Sequence, residues 1–80
     1  MKTVTETVRE ILAEHTSPAI KPAELQLDSL LIDIGLDDFD KVEAVMDLED
    51  ALNLEISDDV RDTFKTVGDV VDFCDKKKAI

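Results

Sequence analysis

Four acidic side chains, Asp40, Glu43, Asp47 and Asp50, recur at i, i+3, i+7 and i+10. On a helix turning roughly 100° per residue this spacing aligns them as one ridge. Phe39, Val42 and Met46 form an apolar strip beside it, and Val45, Leu48 and Leu52 a third stripe that reads as core. Carboxylates in such a row can gather a cation or pair with bases on another surface. An EF-hand loop needs acids at positions 1, 3 and 5, glycine at 6 and glutamate at 12, and no register of residues 37–50 supplies them. Loose divalent association that relieves repulsion is all the spacing permits, so no metal-ligand residue is expected. Like charges three or four apart weaken a helix by about 0.2–0.5 kcal/mol per pair. Lys41 alone among these residues offers relief. The ridge reads either as a recognition surface or as a solvated face, and periodicity alone does not choose between them.

Other reactive side chains stand alone. His15 is the single histidine and has no cysteine at ligand spacing, so it reads as a surface or helix-end residue. Cys74 is the single cysteine, outside any Cys-x-x-Cys context, and reads as a packed helical thiol. It cannot form an internal disulfide, which fits a reducing, cytoplasmic compartment. No nucleophile–base–orienter set and no glycine-rich phosphate loop is present, so independent catalysis is not expected.

These side chains need helices to hold them. Thr3-Val4-Thr5-Glu6 is a capping-box pattern, followed by Val4, Val8, Ile11 and Leu12 on one helical face. Pro18 ends that helix near His15. Residues 16–37 form a long connection containing Pro18, Pro22 and Gly35. It carries enough leucine and isoleucine to pack back on the core, with a helical turn expected near Ser29 to Ile32. A second helix runs from Asp37 or Asp38 to about Leu52, its acidic first turn matched to the helix dipole. Ser57 caps a short third helix over residues 58–62. The fourth begins at Thr66, turns Val67, Val70, Val71 and Cys74 inward, and ends on Lys76, Lys77 and Lys78. The expected fold is all-α, an antiparallel four-helix bundle with a long first loop and a short third helix, as a single domain over residues 1–80.

Composition agrees. Leu, Ile, Val and Phe make up 26 of 80 residues, enough to build a core. No apolar run reaches the roughly 18 residues of a membrane span, and the N-terminus lacks a secretory apolar core. The net charge is −11. Residues 37–64 hold eleven acids against two bases, whereas residues 65–80 hold four bases against three acids. Nucleic acid would be repelled by such a surface, while basic protein partners would be drawn in. A monomer is expected.

The stretch Gly35-Leu36-Asp37-Asp38-Phe39-Asp40-Lys41-Val42-Glu43 through Asp50 resembles the acyl carrier protein signature Gly-x-Asp-Ser-Leu-Asp-x-Val-Glu. The resemblance continues through Leu54-Glu55-Ile56-Ser57-Asp58-Asp59 and Thr66-Val67-Gly68-Asp69-Val70-Val71-Asp72-Phe73, without a gap from Leu25 to Phe73. It implies a four-helix carrier of acyl thioesters in fatty-acid or related acyl-chain biosynthesis. The acyl chain would ride on a 4′-phosphopantetheine arm attached to a serine by a phosphopantetheinyl transferase. It also implies docking of basic enzyme patches through Asp37, Asp40, Glu43, Asp47 and Glu49, with Val42 and Met46 as apolar contacts.

One departure bears on mechanism. Asp38 occupies the position of the attachment serine. A carboxylate is weakly nucleophilic, and an acyl phosphate formed on it would hydrolyse, so the prosthetic group is not expected to be attached there. Asp28-Ser29-Leu30 repeats the family tripeptide nine residues upstream, making Ser29 the alternative attachment residue. No long acidic helix opens after it, and a turn or cap serine is the plainer reading. The expectation is a family member that docks enzymes while unloaded. Its alternatives are a working carrier loaded at Ser29 and an acidic mimic or inhibitor of basic surfaces.

Overall fold

Thr3 starts the first helix in the computed structural model, which describes residues 3–16 and 21–78. Its Oγ1 accepts from the Glu6 N–H at 3.1 Å, while Glu6 Oε1 accepts from the Thr3 N–H at 3.4 Å. The box opens α1, Val4–Glu14, which buries Val8, Ile11, Leu12 and Ala13 and half-buries Val4. His15 is its C-cap. The expected stop at Pro18 lies outside the described residues.

Asp37 is the N-cap of α2, Asp38–Leu52, and its Oδ1 accepts from the Asp40 N–H at 2.8 Å. Asn53 ends the helix in the left-handed region at φ 52, a conformation asparagine tolerates better than most residues. Ser57 Oγ accepts from the Val60 N–H and opens α3, Asp58–Thr63. Before α4, Val67–Lys78, Thr66 Oγ1 accepts from the Asp69 N–H at 3.1 Å. Asp69 Oδ2 returns the favour to the N–H groups of Lys65 and Thr66. The architecture is the all-helical bundle expected, with Val8, Leu12, Leu25, Leu48, Val67 and Cys74 at its centre. Phe64 and Phe73 meet edge to face at 5.7 Å.

The long connection departs from expectation in two ways. Leu25, Leu31 and Leu36 do enter the core, but Leu27, Leu30 and Ile32 remain exposed. The turn lies later than Ser29–Ile32, over residues 31–35, with the Asp33 and Ile34 N–H groups donating to Leu30 O. Residues 27–31 are engaged elsewhere. Leu27 O accepts from Gly68 N–H at 2.7 Å, Ser29 O from Val67 N–H at 3.0 Å, and Leu31 N–H donates to Lys65 O at 2.8 Å. Leu30 and Thr66 form an isolated antiparallel bridge. This strap satisfies two of the donors that a helix N-terminus leaves open. It therefore needs Ser29 and Leu30 extended, and the turn can begin only after them.

Candidate functional site

The three stripes of α2 separate in space as the spacing requires. Ala44, Val45, Leu48 and Leu52 are buried, Ala44 joining the core stripe because its small side chain lies between Leu48 and the ridge. Glu43, Asp47 and Asp50 are exposed and Asp40 is half-buried. Phe39 is 69% exposed and Met46 59%, with Val42 half-buried between them. The solvent face of the helix thus pairs a row of carboxylates with two large uncovered apolar side chains. Exposed apolar groups rimmed by charge are the usual composition of a protein-binding surface.

Lys41 does not sit among the acids. Its Nζ donates to Phe64 O at 3.3 Å, bracing α2 against the end of α3. The ridge is touched instead from the end of α1, where His15 Nε2 lies 2.7 Å from Asp47 Oδ2. His15 is thus a helix-end residue, as its isolation in the sequence implied, but with a partner 32 positions away that no local pattern could disclose. Glu49 is set off from the ridge, half-buried, with Oε2 accepting from the Ile56 N–H at 3.3 Å. It fastens the connection between α2 and α3.

Asp37 and Asp38 are both exposed at the N-terminal end of α2, where the dipole stabilises negative charge. Asp38 borders a recess of about 240 Å³ walled by Leu30, Leu31, Leu36 and Phe64, with Lys41 and Lys65 beside it. Ser29 is half-buried and its peptide belongs to the strap on α4. Ser57 is committed to capping α3. Burial, aided by the charge of Asp75, pushes the Cys74 thiol up to about 11, so it is a packed and unreactive group. The Lys65 N–H, with help from Thr66, holds the Asp69 carboxyl below its ordinary value. Among the described residues, no three His, Cys, Asp or Glu side chains converge as metal ligands would. No helix among them is long and apolar enough to cross a membrane.

Over residues 3–74 the chain matches the family described as phosphopantetheine attachment site. It is also similar to proteins named acyl carrier protein from Clostridium perfringens strains SM101, ATCC 13124 and 13. Each is 42% identical over 67 residues, covering 82% of this chain and 86% of the relative. The first turn of α2 nevertheless offers carboxylates and a phenyl ring, from Asp38, Phe39 and Asp40, with no hydroxyl or thiol. A phosphate ester needs an alcohol oxygen, so this turn does not fit an ester-linked prosthetic group.

Proposed function

Because the chain belongs to the phosphopantetheine-binding family of acyl carrier proteins, whose members carry rather than catalyse, we propose that it docks acyl-processing enzymes without carrying cargo. In this reading Asp37, Asp40, Glu43 and Asp47 pair with bases on the partner, while Val42 and Met46 fill an apolar contact beside them. Glu49 contributes charge at the edge. Asp38 stands where the family attaches 4′-phosphopantetheine, and its fixed charge partly imitates the phosphodiester of a loaded carrier. The partners are basic patches on enzymes of fatty-acid or related acyl-chain synthesis, met by a monomer of one domain in the cytoplasm.

The observation that supports docking best is the exposure of Phe39 and Met46 on the acidic face of α2. Charge alone would keep the protein dispersed and would leave no reason for two large apolar groups in water. The same observation counts against a pure charge mimic. The two hydrogen bonds that tie the Ser29 peptide and its neighbour Leu27 to α4 count against loading at Ser29.

Intact-mass analysis tests the unloaded state. Asp38→Ser incubated with a phosphopantetheinyl transferase and coenzyme A is expected to gain one arm, and the unaltered chain none. An arm on protein purified from its own cell would overturn the reading, and peptide mapping would then locate it at Ser29 or elsewhere. Asp38→Ser that stayed unmodified would show that position 38 is not the lost attachment point.

A further inference from the structure

The acidic ridge is not equally free along its length. Asp47 is 53% exposed and in line with Glu43 and Asp50, yet one of its oxygens is held at 2.7 Å by the ring of His15, itself only 17% exposed. His15 ends α1, so its position is fixed by the packing of that helix. Its ring is thereby delivered to the third turn of α2 from outside the docking helix.

We infer that His15 makes docking on α2 proton-dependent: the imidazolium occupies Asp47 within the fold, and the neutral ring leaves that carboxylate to a basic partner. This inference rests on the docking reading above and names its regulation. Histidine is the one side chain whose ordinary charge change falls between about pH 5 and 8. With the ring charged, its contact with Asp47 is an ion pair, and an incoming lysine or arginine must displace it. With the ring neutral, Nε2–H can still donate a hydrogen bond, but Asp47 keeps its full charge and an exposed oxygen.

Other charged groups stand on the elements around this pair. On α1 the charged side chains are Glu6, Arg9, Glu10 and Glu14, and on α2 Glu43 and Asp50 share the ridge with Asp47. The elements packed on α1 contribute Asp69, Asp72, Asp75 and Lys76 to Lys78 from α4, and Glu24 from the turn at residues 22–24. Among the described residues, Asp47 alone of these carboxylates lies within ion-pair distance of the ring.

The test uses a labelled amphipathic helical peptide bearing arginines on one face and leucines along its edge, which does not itself titrate in this range. Its binding is measured at about pH 5.5 and 7.5 at fixed ionic strength, within the histidine range. The intact chain is expected to bind about twofold to fivefold more tightly at the higher pH, the effect of one exposed ion pair. His15→Gln keeps a donor near Asp47 but no titratable charge, and is expected to erase the difference. Asp47→Asn should also erase it while weakening binding at the higher pH. Melting curves of both variants at each pH check that they remain folded. If His15→Gln keeps the pH difference, or the intact chain has none, the inference fails while docking stands. If the peptide binds at neither pH, the docking reading fails and takes the inference with it.

Discussion

Asp38 and Cys74 illustrate how far a single side chain can decide chemistry. Both could be located by type and spacing, because one opens an acidic helix and the other lies on the apolar face of the last one. Asp38 is exposed, and the helix dipole favours its charge by about 0.3–1 kcal/mol, so it is comfortable where it stands. Cys74 is fully buried and its thiol is held up at about 11 against 9.0 for a free thiol. The folded state therefore binds that proton more tightly than the unfolded chain. The resulting contribution to stability is complete below pH 9.0 and is lost as pH rises towards about 11. Iodoacetamide at mildly alkaline pH is expected to alkylate Cys74 only at the rate of global opening, and Cys74→Ser should flatten the alkaline limb of the stability profile. Rapid alkylation of the folded protein would contradict this account.

Among the elements, α4 is held most elaborately. Its first turn is fastened by Thr66 and Asp69 and by the strap from residues 27–31. A Cβ on Gly68 would lie 2.8 Å from Leu27 O, closer than real contacts allow. Gly68→Ala should gain helix propensity of about 1 kcal/mol, yet the crowding displaces the strap. A net loss of about 1–3 kcal/mol is expected, read as a fall in Tm of about 4–8 °C per kcal/mol. An unchanged or raised Tm would mean the strap yields freely. Asp69, whose carboxyl is depressed by the Lys65 and Thr66 donors, contributes stability that is complete above about pH 4 and lost as pH falls through its folded value. Asp69→Asn should blunt that acid limb in a pH series of melting curves. The N-caps of α1 and α3 were legible because each is a local code, Thr3 with Glu6 and Ser57 ahead of Val60. The strap was not, because hydrogen bonds between residues about 40 apart leave no trace in periodicity. Leu27, Leu30 and Ile32 looked like core by type; backbone pairing with the start of α4 rather than side-chain burial explains the place of Leu27 and Leu30, and Ile32 lies in the turn that follows.

At the scale of the whole molecule, α2 was readable as three stripes, since helical geometry alone sorts residues 39–52. What could not be read was the company each stripe keeps. Lys41 leaves the ridge for the Phe64 carbonyl, and His15 arrives there from another helix. A net charge of −11 should steer basic partners over long range, so added salt is expected to slow association. Met46→Glu separates field from contact. A surface acting through charge alone would bind a basic partner more tightly after that change, whereas loss of the apolar contact should weaken binding about tenfold. Equilibrium titration at two ionic strengths reads the difference directly.

The stitching of residues 27–31 to the start of α4 also constrains the order in which the chain can assemble. Closing a loop on the order of 40 residues carries an entropy cost that a helix, whose hydrogen bonds are all local, does not meet. The first two amides of the last helix, Val67 and Gly68, therefore find their partners only once that loop has closed.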